Sequence, residues 1–198
     1  MPTNDSVPAE AGTRVVVREG EVFTYREAGQ GPALVLLHGI GSGARSWSKQ
    51  FAGLSARMRV VAWDASGYGG SSALPVERPD PSAYAASLAR LLDALGVNRA
   101  HLVGHSLGTV VALRFAAAYP ARVISLTLAS LSSGHARLGA DEQTRLRNAR
   151  FADLDALGPA GMAQKRAPRL LSDGATEEQE QSVTQTMSLI RPAGYRQA

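Results

Sequence analysis

Four short stretches of this chain, 33–37, 59–63, 100–103 and 123–129, are apolar almost from end to end. A strand with one wet face alternates apolar with polar residues, so runs of this kind predict strands covered on both faces, as in a parallel sheet. Helical patterns lie between them. Trp47, Phe51, Leu54 and Met58 recur every three or four residues across 45–57. Tyr84, Leu88, Leu91, Leu92 and Leu95 share one face of 82–95, with Gly96 as a stop. The segment 106–119 opens on small residues and ends at Pro120. This alternation predicts an α/β fold, a mostly parallel sheet flanked by helices. Two β-branched runs, 14–18 and 22–27, read as an opening antiparallel hairpin and bring the expected strands to six. From Ser130 onward the strand pattern is lost. Three helical stretches, 141–157, 159–171 and 176–190, broken at Gly158 and at Asp173-Gly174, predict a helical cap. The expected division is a core over 1–130 and a cap over 131–198.

Composition narrows the classes of function. The 198 residues contain no cysteine, which removes disulfides, thiol catalysis and thiolate metal sites and fits a cytoplasmic setting. The net charge of +4 comes from scattered arginines without aromatic interleaving, so no nucleic-acid partner is expected. No apolar run approaches a membrane span, and no cluster of His, Asp and Glu has metal-ligand spacing; neither membrane nor metal is expected. Residues 1–12 read as a loose leader.

The pentapeptide Gly104-His105-Ser106-Leu107-Gly108 joins an expected strand directly to an expected helix. In a Gly-x-Ser-x-Gly turn of this kind, the nucleophile elbow, the backbone is strained at the serine and its hydroxyl stands above the sheet. The strain brings neighbouring residues close, so the positions two before and two after must be glycine. Ser106 is the expected nucleophile. A second glycine-rich turn, His38-Gly39-Ile40-Gly41, closes the third strand. Acyl transfer places negative charge on a carbonyl oxygen, and backbone N–H groups from Leu107 and Ile40 are the expected donors to that oxygen, the oxyanion hole. The rival reading of this turn is a phosphate cradle. It lacks the lysine of a P-loop, and it misses the dinucleotide pattern only in having Ala44 where that pattern has a third glycine. Asp64, at the end of the following strand, keeps that rival in play. Trp47, Phe115 and Tyr119 could line a pocket, although at helical spacing they read as core.

The order of His38-Gly39, Trp47, Asp64 with Gly67-Tyr68-Gly69-Gly70-Ser71, and Gly104-His105-Ser106-Leu107-Gly108 resembles the α/β-hydrolase family over 33–129. Within it the chain is similar to 3-oxoadipate enol-lactonases and to hydrolases of meta-cleavage products. Ser66 departs from the proline or arginine of many relatives. The resemblance implies a serine hydrolase acting on a small-molecule ester, lactone or related carbonyl compound through an acyl-enzyme, with no cofactor.

The family's triad acid and histidine follow the cap, so the resemblance implies that both lie beyond Ala198, that the chain is C-terminally incomplete, and that it is impaired by itself. Each histidine in the chain reads better as structural than as general base: His38 opens the oxyanion turn, His101 lies within a strand, His105 points away from Ser106, and His135 sits at the cap entrance, where a surrogate base is the lesser reading. Asp64 is expected to fix its own glycine-rich loop rather than serve as the triad acid. Missing strands would leave 123–129 as an exposed apolar edge open to self-association. The alternative function is a non-catalytic, hydrolase-like small-molecule binding protein or an inactive fragment.

Overall fold

The computed structural model describes residues 12–132 and 137–198. The expected leader, apart from Gly12, and His135 therefore lie outside the described residues. Strands β1 (Thr13–Arg18) and β2 (Glu21–Ala28) form the antiparallel hairpin, turned at Glu19 and Gly20, both with positive φ (53° and 79°). Then follow β3 (Ala33–Leu37), β4 (Arg59–Trp63), β5 (Ala100–His105) and β6 (Val123–Ala129). They make one six-stranded sheet in the order β1-β2-β4-β3-β5-β6, parallel from β4 to β6, which bears out the expected fold.

The connecting helices are α1 (Ser48–Leu54), α2 (Pro81–Ala94) and α3 (Leu107–Ala118). From β3 the chain steps outward to β4, then crosses back over β3 to β5. With right-handed crossovers these opposite steps put α1 on one face and α2 with α3 on the other. Side-chain parity agrees. Leu34 and Leu36 pack with Trp47, Phe51, Val60 and Ala62 under α1, whereas Val35 and Leu37 join Leu88, Leu92, Val111 and Phe115 on the opposite face. Trp47 and Phe115 are thus core residues, and the Tyr119 ring packs against Phe115 at a tilt of 45°, with centroids 5.0 Å apart.

Past β6 come α4 (Ala140–Arg166), a 3-10 turn (Ala167–Leu170), α5 (Glu177–Ser188) and α6 (Pro192–Gln197). Gly158 interrupts α4 with φ 67° and ψ 178°, at the position where two helices were expected to meet. Leu154, Met162, Met187, Ile190 and Tyr195 from these helices share one apolar cluster with the sheet. No helix among the described residues is long and apolar enough to cross a membrane.

Candidate active site

In an open parallel sheet the connections of two adjacent strands diverge where the strand order reverses, and a crevice opens at their carboxyl ends. Here those strands are β3, which leads towards β4, and β5, which leads towards β6. The two sequence-predicted turns occupy that crevice, one at the end of each strand.

Ser106 adopts φ 51° and ψ −113°, a backbone region costing a non-glycine residue on the order of 1–3 kcal/mol. The strain is held by its surroundings: the Ser106 N–H donates to the Ala129 carbonyl at the end of β6 (3.1 Å). Both elbow glycines are required by close approach, though of different kinds. A Cβ on Gly104 would sit 2.4 Å from the Gly108 carbonyl oxygen, within the elbow. A Cβ on Gly108 would sit 2.1 Å from the Leu37 carbonyl oxygen, on the neighbouring β3. The second glycine therefore lets the start of α3 lie directly against the strand that carries the other turn.

Two peptide planes are clamped in the same manner. The Ser106 carbonyl accepts from the Thr109 N–H (2.9 Å) and the Thr109 hydroxyl (2.6 Å). In a planar trans peptide the next N–H points opposite to that carbonyl, so the Leu107 N–H is turned out of the helix start. The Gly39 carbonyl accepts from His38 Nδ1 (2.8 Å) and from the Ser42 N–H (3.2 Å), which turns the Ile40 N–H the other way. The Ile40 carbonyl in turn accepts from the Tyr68 hydroxyl (2.8 Å). Neither the Ile40 nor the Leu107 N–H donates to any group among the described residues. The turns touch, since a Cβ on Gly39 would lie 3.3 Å from Ser106 Cβ. Ser106, Leu107 and Ile40 line one cavity of about 390 Å³ together with Tyr84, Arg150 and Gln197.

His38 is fully buried and belongs to the frame of the site. Its Nε2 accepts from the Ala65 N–H (3.0 Å), so the proton sits on Nδ1 and is donated to Gly39. Burial holds its pKa below the ordinary value and keeps the ring neutral. Tyr68 meets that ring edge-on, and burial raises its hydroxyl well above the usual tyrosine range. Asp64 accepts from the Ala44 N–H (2.8 Å) and from the Thr24 hydroxyl (2.8 Å), anchoring the turn after β3. One oxygen thus holds the turn after β3 and the other holds Thr24 of β2, whose hydroxyl in turn accepts from the Gly70 N–H, so the Asp64 carboxylate reaches its own glycine-rich loop only through Thr24. His101 bonds Ser125, and His105 is exposed with its ring beside Gly39. No histidine among the described residues bonds Ser106 Oγ.

Sequence reasoning missed Thr109, the clamping role of Tyr68, and the cavity residues Tyr84, Arg150 and Gln197. Thr109 stood three residues from Ser106, and Tyr68 inside the quoted loop. Arg150 carried no local signal, being one of several charges on a helix read as solvated.

A family model described as alpha/beta hydrolase fold matches residues 32–171. Among curated proteins, the chain is 39% identical over 108 residues to a 2-hydroxy-6-oxo-6-phenylhexa-2,4-dienoate hydrolase of Comamonas testosteroni, covering 52% of this chain and 38% of that protein. The chain thus matches about two fifths of that relative's length. Among solved structures, it superposes on a thermophilic esterase from Thermogutta terrifontis with TM-score 0.80 and 26% identity, over 95% of this chain and 71% of the other. An enol-lactonase from Burkholderia xenovorans shares the fold with TM-score 0.77 and 23% identity, over 93% and 71%.

Proposed function

From the premise that this chain belongs to the α/β-hydrolase fold family, we propose that it carries the nucleophile and oxyanion hole of a serine hydrolase of carboxylic esters or lactones. Ser106 Oγ attacks the carbonyl carbon as a base takes its proton, and the carbonyl oxygen becomes an oxyanion facing the Ile40 and Leu107 N–H groups. The C–O bond to the leaving alcohol then breaks, the alcohol takes the proton, and an acyl-serine remains. Water, deprotonated by the same base, attacks that ester and releases the acid and a free Ser106. The base is a histidine outside the described residues.

One observation carries this reading: two unpartnered N–H groups, each aimed by a clamped carbonyl, share a cavity with a serine held at positive φ. A preorganised donor pair of this type is worth about 3–4 kcal/mol per donor in acyl transfer. Incubation with a fluorophosphonate, followed by peptide mass mapping, tests it. Because the base lies outside the described residues, the expected result is slow formation of one phosphonyl adduct on Ser106, driven by the oxyanion hole alone and absent from Ser106→Ala. A non-catalytic binding protein on the same fold gives no adduct, and that result would overturn the proposal.

A further inference from the structure

A second cavity, of about 280 Å³, lies outside the Ser106 site and shares no lining residue with it. Its wall is built on the α1 side of the sheet. Arg26 of β2 stands opposite Thr13 of β1 on one side and Ala62 of β4 on the other, so the side chains of all three leave the sheet on the same face. Ala62 packs under α1 with Trp47 and Phe51, which identifies that face. The 3-10 turn Ala44–Trp47 brings Arg45 to the same cavity, the turn after β3 brings Ser42, and the last turn of α5 brings Thr186.

Neighbouring arginines on these strands are paired, Arg14 and Arg59 sharing the Glu27 carboxylate. Arg26 and Arg45 have no such partner. Neither makes an ion pair or hydrogen bond among the described residues, and Arg26 Nε is withdrawn from solvent without an acceptor. Native proteins rarely leave a buried donor unpaired, and a charged group is the costliest case. The hydroxyls of Thr13, Ser42 and Thr186 likewise make no hydrogen bond among the described residues. One carboxylate, Asp64, reaches the cavity, and its oxygens already accept from the Ala44 N–H and the Thr24 hydroxyl. Two guanidinium groups therefore face one carboxylate that is already engaged, and the uncommitted groups are donors.

We propose that this cavity is a phosphoryl-binding site held by Arg26 and Arg45, separate from the serine chemistry and independent of it. A phosphoryl dianion presents three strong acceptor oxygens, enough to engage both guanidinium forks and the hydroxyls together, where a carboxylate presents only two. Volume limits what the phosphoryl group can carry. Small-ligand sites span about 300–1,000 Å³, and this cavity stands at the bottom of that scale, so its ligand is a small phosphate monoester or inorganic phosphate and not a dinucleotide. Bound there, the anion ties the β1-β2 hairpin to the turn after β3 and to the end of α5, and so stabilises the folded chain.

The test is calorimetric titration of the whole chain with glycerol 3-phosphate, inorganic phosphate and acetate at fixed ionic strength. The two phosphates are expected to saturate one site, and acetate to bind at least about 10-fold more weakly, the scale of one charge-assisted hydrogen bond. Whichever phosphate binds more tightly identifies the source of the group. Arg26→Gln and Arg45→Gln each weaken phosphate binding at least about 10-fold, and phosphate at 100 times its Kd raises the parent's Tm by about 5–10 °C. Arg45 is exposed on its 3-10 turn, so Arg45→Gln decides the matter even where Arg26→Gln does not fold. The absence of saturable phosphate binding, acetate binding as tightly as phosphate, or phosphate binding untouched by Arg45→Gln overturns the proposal.

Discussion

Replacing Gly108 by alanine places a methyl group 2.1 Å from the Leu37 carbonyl oxygen, and 2.6 Å from the carbon behind it. An ordinary carbon–oxygen contact needs about 3.2 Å, so something must move by roughly 1 Å. It cannot be the strand. β3 is bonded to β4 on one side and β5 on the other, and the obstructing atom is main chain. The start of α3 must rise instead, carrying the Leu107 N–H with it. Overpacking of this kind costs about 3 kcal/mol, which in a chain of this size lowers Tm by about 6–12 °C. A 1 Å displacement of a catalytic donor costs on the order of 100-fold in rate, so Ser106 phosphonylation slows by a similar factor. Gly53 is the control. It lies in α1 with nothing within 4 Å of an added Cβ, and alanine is the better helix former, so Gly53→Ala raises Tm by about 2–4 °C. Calorimetric melts and timed mass spectra of the three proteins measure both effects. A Gly108→Ala protein that melts and labels like the parent would refute the close-approach argument.

Three other outcomes follow from the same geometry. Tyr68→Phe releases the Ile40 carbonyl, and labelling of Ser106 should slow about 10-fold while stability falls by only about 1 kcal/mol in urea titrations; a stability loss without slower labelling would make Tyr68 purely structural. Asp64→Asn weakens the anchors to Ala44 and Thr24 and should cost about 1–2 kcal/mol, with the labelling rate per folded molecule unchanged; a collapse of that rate would make Asp64 part of the reaction. His38 stays neutral in the folded chain, its pKa held below the ordinary 6.5, whereas the unfolded chain takes up a proton there. Unfolding therefore binds a proton as pH drops below about 6.5, and stability falls from that point downward until the folded ring is also protonated. Urea midpoints measured from pH 7.5 to 5 should show this decline, and His38→Gln should flatten it.

Residue type alone sufficed for the parts of this fold whose cause is local. The runs 33–37, 59–63 and 123–129 became strands with the expected ends, because short, mostly apolar and β-branched runs favour extended chain; β6 does so although Ser125 and Thr127 interrupt it and none of its residues is buried. That Ser106, Leu107 and Ile40 meet at one cavity was legible for a related reason: an elbow and its glycine-rich neighbour are written in consecutive residues. Where distant contacts decide, the reading drifted. The helix expected over 45–57 opens as a 3-10 turn at Ala44–Trp47, where the Asp64 carboxylate takes the Ala44 N–H, and its α-helical part ends at Leu54. β5 runs on to His105 because Gly104 and His105 pair with Leu128 and Ala129 of β6. α6 was not foreseen. Its six residues are short, and Gly194 presses on the backbone of Gly67, a contact across the whole chain. Arg150 is the same lesson at the site: on α4 it is one more surface charge, and only tertiary placement beside Ser106 gives it a distinct environment.

The most direct measurement is a crystal structure of the phosphonylated chain. Phosphorus should be bonded to Ser106 Oγ, with its unesterified oxygen about 2.7–3.1 Å from both the Ile40 and the Leu107 nitrogen atoms. An adduct whose oxygen points to solvent, or peptide planes at Gly39-Ile40 or Ser106-Leu107 turned over from those described, would contradict it.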